Sequence, residues 1–109
     1  MASSEKGLER FAAKALKEAG FTPVKLALLA GPGFPDHTVF LGGGGVAFVE
    51  YKTPTGRFGP LQKHWLKKLH KLGFATAVCR SRDDVRAVIE KLADPDTPRG
   101  EIVNEEIFE

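Results

Sequence analysis

The sequence predicts an α/β domain: a small mixed sheet flanked by helices, in the order α-β-β-β-α-β-α. Three segments repeat apolar residues at helical spacing, and four others are short apolar runs of strand length. Glycine or proline separates most of these segments, and a tetraglycine joins two of the strands into a hairpin. At 109 residues the chain suffices for one core and not for two, so residues 1–100 form one domain and residues 101–109 an acidic tail.

In the first helix, from about Ser4 to Ala19, the apolar stripe is Leu8, Phe11, Ala12, Ala15, Leu16 and Ala19, and Gly20 stops it. Val24 to Ala30 reads as a strand interrupted only by Lys25. Gly31-Pro32-Gly33-Phe34-Pro35 is a rigid connection that delivers the chain to Asp36. A second strand centred on Thr38–Leu41 and a third over Val46–Lys52 fold together through Gly42–Gly45. Thr53–Gly59 is a loop, and Pro60 suits the first turn of the second helix. That helix carries Leu61, Trp65, Leu66, Leu69 and Leu72, with Trp65 expected in the core, and ends at Gly73. Phe74–Cys79 is the fourth strand. Ser81 and Asp84 fit a capping box for the last helix, whose stripe is Val85, Val88, Ile89 and Leu92. Asp94-Pro95-Asp96-Thr97-Pro98 breaks it.

Composition narrows the function classes. A single cysteine, Cys79, excludes an internal disulfide and any multi-cysteine zinc site. No signal peptide or membrane-spanning segment is expected, and a cytoplasmic setting follows from that reading. The last nine residues hold four acids and no base, so the preceding 100 carry four more positive charges than the +2 of the whole chain. A basic body of this kind is compatible with a polyanionic ligand.

The chemistry concentrates on the hairpin. Successive strand side chains point to opposite faces, so Glu50 and Lys52 project together from the end of an apolar run. Hairpin pairing brings Asp36, at the mouth of the preceding strand, beside them. Two carboxylates suit a hard cation such as Mg2+ or Mn2+, and the Tyr51 backbone carbonyl offers a third oxygen. Lys52 is then placed to hold an attacking water or to offset charge on a phosphate. The same spacing also fits an Asp36–Lys52 or Glu50–Lys52 surface ion pair. The histidines form no metal motif, and His37 is expected as an exposed turn residue.

Gly33-Phe34-Pro35-Asp36, the strand Val46–Lys52 with its Glu50-Tyr51-Lys52 triplet, and Gln62 early in the next helix together resemble the VRR-NUC nucleases, a branch of the PD-(D/E)XK superfamily. The likeness extends to Glu5 opening the first helix, to Gly20 ending it, and to the element order, and covers roughly residues 5–80. It implies a PD-(D/E)XK nuclease-like core and a Mg2+-dependent endodeoxyribonuclease in which Mn2+ substitutes. It further implies Asp36 and Glu50 as metal ligands, Lys52 as the catalytic lysine, and Gln62 as a helper from the second helix. Glu5 would approach the metal water or a second metal, with Glu9, one turn on, as its competitor. Tyr51 stands where the family carries a β-branched residue, which affects packing on the opposite face.

Arg57, Lys63, Lys67 and Lys71, joined by Lys68, Arg80 and Arg82, are candidates for contacts to DNA phosphates. No helix-turn-helix or zinc finger is present to read bases. A domain without appendages resembles the stand-alone phage and bacterial members, which implies a homodimer cutting branched DNA such as four-way junctions. The apolar residues of Ile102–Phe108 are suited to crossing to a partner subunit, to folding back, or to fraying. A DNA-binding module without turnover, and a nuclease subunit of a larger replication, repair or restriction assembly, are the competing classes.

Overall fold

Ser4 starts the first helix: its Oγ accepts a hydrogen bond from the Gly7 amide (3.0 Å), and α1 runs Glu5–Glu18. The computed structural model describes residues 4–98, so the acidic tail and its expected contacts lie outside the described residues. Leu8, Ala12 and Leu16 of α1 are buried, as their spacing predicts, with Phe11 and Ala15 packed at the margin.

The segment expected as one strand over Val24–Ala30 divides differently. A short strand, β1 (Thr22–Val24), is followed by a four-residue helix, α2 (Ala27–Ala30). β1 pairs antiparallel with β2 (His37–Phe40), from Thr22 opposite Phe40 to Val24 opposite Thr38. Continuing that register would soon oppose Pro35, which has no amide hydrogen to offer a ladder. The chain leaves the sheet instead, and Leu28 and Leu29 end up 96% and 88% exposed.

β2 pairs antiparallel with β3 (Val46–Tyr51) across a glycine turn, closed by the Leu41 amide donating to the Gly45 carbonyl (2.8 Å). α3 (Pro60–Lys71) then crosses over to β4 (Ala75–Cys79), which pairs parallel with β3. α4 (Arg82–Ala93) completes the described chain. The sheet is mixed, with strand order β1-β2-β3-β4.

Each face of the sheet has its own cover. Val39, Ala47, Val49, Tyr51, Ala75, Ala77 and Cys79 share one face with the buried stripes of α1 and α4. The alternate residue Phe48 meets Phe34 and Phe74 edge-on at 5.7 and 5.3 Å, and Phe34 in turn meets Trp65 of α3 at 5.0 Å. Only Leu66 and Leu69 of α3 are buried; Leu61 and Leu72, expected in its stripe, are exposed and Trp65 is half-buried.

Caps follow the sequence closely, with one change of partner. Ser81 Oγ accepts from the Asp84 amide (3.1 Å), while the Asp84 carboxylate accepts from the amide of Arg80, one residue earlier than a capping box requires. Gly33 seats the connection to Asp36 against α3. Its φ is +84°, and a Cβ there would lie 2.6 Å from the Leu61 carbonyl carbon and 2.8 Å from the Gln62 nitrogen. Gly33→Ala is expected to cost about 2–4 kcal/mol, combining left-handed backbone strain with overpacking against a helix backbone. Urea denaturation measures it.

Candidate active site

Asp36 and Glu50 meet because of register. His37 opposes Val49, so the next pair outward is Asp36 and Glu50, and opposed side chains share a face. The Tyr51 amide donates to Asp36 Oδ2 (2.9 Å), which fixes that carboxylate against the end of β3. Glu50 is only 2% exposed. Burial, and then the facing Asp36 carboxyl within hydrogen-bonding reach, raise its pKa from an ordinary 4.5 to about 9. Lys52 opposes part of that shift without cancelling it. The Asp36–Glu50 pair therefore favours holding a proton when no cation is bound, Glu50 being the more deeply buried of the two.

Lys52 lies one step beyond β3 on the Glu50 face, 9% exposed. Its amide donates to the Cys79 carbonyl (3.0 Å), extending the parallel ladder and fixing where its side chain leaves the sheet. The Nζ atom stands 4.0 Å from Glu5 Oε1 and 5.3 Å from the centre of the Phe58 ring. The N-terminal turn of α1 thus reaches the same end of the sheet as Asp36 and Glu50. Glu9 turns elsewhere: its Oε2 accepts from Lys25 Nζ (3.2 Å).

Gln62 sits in the first turn of α3, where its Oε1 accepts from the Gly59 amide (2.9 Å). It orders the start of the helix, and its side-chain oxygen is occupied in doing so. Arg57, Lys63, Lys67 and Lys71 are all exposed, the three lysines one turn apart along α3. Arg80 and Arg82 have structural partners. Arg80 Nη1 donates to the carbonyls of Thr53 (2.8 Å) and Gly56 (2.7 Å), and its guanidinium lies 5.4 Å from the Phe58 ring centre. The loop after Lys52 is thereby clasped to β4, with Phe58 between Arg80 and Lys52. Arg82 stacks on Phe11 at 4.7 Å.

His37, expected at an exposed turn, is instead 3% exposed within β2. Its Nδ1 is 2.7 Å from the Tyr51 hydroxyl. Burial lowers its pKa, with Glu9 and Asp36 pulling the other way, so the ring is neutral. The Tyr51 phenol is kept protonated by burial and shares a hydrogen bond with Nδ1, whose direction follows the imidazole tautomer. Strand alternation could have revealed this: His37, Val39 and Leu41 share one face, and the last two are apolar. The contacts of the Arg80 guanidinium with Thr53, Gly56 and Phe58 have no local signature, since they join residues 22 or more apart.

The donors suit a hard, well-hydrated cation. Among the described residues no three His, Cys, Asp or Glu side chains converge as a cage. Asp36, Glu50 and the Tyr51 carbonyl offer a few oxygens, the arrangement that Mg2+ accepts because it retains most of its water.

Comparison with known proteins identifies the family. The family model described as the VRR-NUC domain matches residues 29–83, the segment from α2 to the start of α4. A solved structure described as a VRR_NUC domain superposes with a TM-score of 0.72 at 27% identity, covering 81% of this chain and 97% of its own. No curated protein matches. The matched family model spans more than half of the chain and includes Asp36, Glu50, Lys52 and Gln62, and the chain belongs to the VRR-NUC domain family, a family of nucleases.

Proposed function

We propose that the protein is a metal-dependent endonuclease that hydrolyses DNA phosphodiester bonds, with Asp36, Glu50 and Lys52 as its essential side chains. The observation that carries this reading is the Asp36–Glu50 pair on adjacent strands, with Glu50 buried and Lys52 on the same face. A divalent cation held by Asp36, Glu50 and the Tyr51 carbonyl would supply Lewis-acid stabilisation of the phosphate and a more acidic water. The protein's own part is positional. Lys52 directs a cation into the site from a fixed backbone and can bind the attacking water or compensate charge gathering on the phosphate oxygens. Glu5 faces Lys52 Nζ and orients it when no substrate is present. The Arg80 clasp and Phe58 keep the loop closed over the lysine stem. Gln62 contributes by setting the start of α3, and Arg57, Lys63, Lys67 and Lys71 offer charge to the phosphate backbone.

The finer reading is a homodimer selective for branched DNA. One domain of this size covers little duplex, and a two-fold pair would present two sites to a two-fold substrate. Incubation with linear, flapped and four-way junction DNA, in Mg2+ or in EDTA, tests both levels. Preferential cutting of junctions only with the metal is expected, and light scattering is expected to give twice the chain mass. Equal cutting of linear duplex would remove the junction preference and leave the nuclease. Tight binding with no cutting under any divalent metal would make the protein a binding module or a partner-activated subunit. Among the described residues no helix is long and apolar enough to cross a membrane.

A further inference from the structure

Beside the acidic pair, on the α1 side of the sheet, lies a cleft of about 270 Å3 lined by Lys6, Glu9, Arg10, Ala13, Lys25 and His37. Its walls begin one residue from the site on two separate elements. Lys6 follows Glu5, whose carboxylate faces Lys52, and His37 follows Asp36. Strand alternation puts Asp36 and His37 on opposite faces, so the cleft continues around the end of the sheet from the carboxylates. Three cations and one acid line it, and the acid is committed: Glu9 pairs with Lys25. Among the described residues Lys6 and Arg10 have no anionic partner, and they lie one helical turn apart on one side of α1. At its floor the His37 Nδ1 is engaged by Tyr51, which leaves Nε2 as the ring's remaining polar atom. The cleft is open, and smaller than the roughly 300–1,000 Å3 of pockets that enclose a small molecule. An extended polyanion suits it better than a free nucleotide does.

We propose that this cleft binds the sugar–phosphate backbone of the DNA strand next to the scissile phosphate, through Lys6 and Arg10, with His37 at its floor. The proposal rests on the nuclease reading and adds to it a second basic surface, on the opposite side of the sheet from the α3 lysines. Substrate then passes over the end of the sheet, held on both sides of the carboxylates.

Fluorescence anisotropy of a labelled duplex in EDTA, titrated with KCl, tests the cleft without cleavage. Lys6→Gln and Arg10→Gln are each expected to weaken binding about eight-fold at 0.1 M salt and to make the salt slope shallower by about one, the value for one lost phosphate contact. Lys91→Gln, an equal charge change on exposed α4, is expected to leave both unchanged. Thermal melting of each variant confirms that it is folded. If the wild type binds and cuts DNA while Lys6→Gln and Arg10→Gln match it in affinity and slope, the cleft is overturned and the nuclease stands. Equal losses from Lys91→Gln overturn it too, by reducing the effect to net charge. A wild type that neither binds nor cuts DNA overturns the nuclease reading, and the cleft with it.

Discussion

Asp36→Asn and Lys52→Ala are each expected to lower the rate of Mg2+-supported DNA cleavage by at least about 10²-fold, the scale of removing one group that stabilises developing charge. The two losses should differ in kind. Asp36→Asn removes an oxygen donor, so it should also abolish the rise in melting temperature that Mg2+ gives the wild type. Lys52→Ala leaves Asp36 and Glu50 in place and should keep that rise while losing turnover. Lys52→Arg is not expected to restore activity, because a planar guanidinium cannot occupy the space of an ammonium between Glu5 and Phe58. Initial rates at saturating DNA, beside melting curves with and without Mg2+, check all three. Wild-type rates in either loss variant would remove that residue from the mechanism.

The second large effect concerns Glu50, whose role reverses between the metal-free and metal-bound protein. Its pKa in the folded chain is raised, so the fold favours the protonated acid. The sign follows from linkage: below the ordinary value of 4.5 the group carries no ionisation penalty, and stability falls as pH rises from there towards about 9. In EDTA, Glu50→Gln is therefore expected to be more stable than the wild type by about 1–3 kcal/mol at pH 8, with the difference shrinking towards pH 4. The same variant should lose Mg2+ binding and cleavage. Binding of Mg2+ to the wild type should release a proton near neutral pH, and affinity should rise with pH. Denaturation curves across pH and calorimetry in buffers of different ionisation enthalpy measure these quantities. Parallel stability–pH curves for the two proteins would show that Glu50 is already ionised.

Much of the architecture was legible because it is locally encoded. The apolar stripes of α1 and α4 match their buried faces, and the glycine turn sets a register that joins Asp36 to Glu50. The segment after Val24 was not legible. A short apolar run reads equally as strand or helix, and extending its ladder beyond Val24 would bring it against Pro35, a residue the run itself does not contain. His37 shows a different gap. Its alternation with Val39 and Leu41 was visible, but its hydroxyl partner, Tyr51, lies across the hairpin. Arg80 was grouped with surface cations because charge in a sequence does not say which carbonyls a guanidinium will meet.

For the site itself the division is clear. The sequence alone determined that Asp36, Glu50 and Lys52 share one face at the end of a hairpin, since strand alternation and a short turn are properties of neighbouring residues. Only the tertiary structure decided that Glu50 is buried, with its pKa raised by desolvation and the facing Asp36. It also set Glu5, rather than Glu9, against Lys52, and opened the cleft on the α1 side beside the carboxylates. Desolvation and ion pairing depend on which atoms from distant segments exclude water from a group, and those neighbours exist only once α1, the hairpin and the clasped loop have come together.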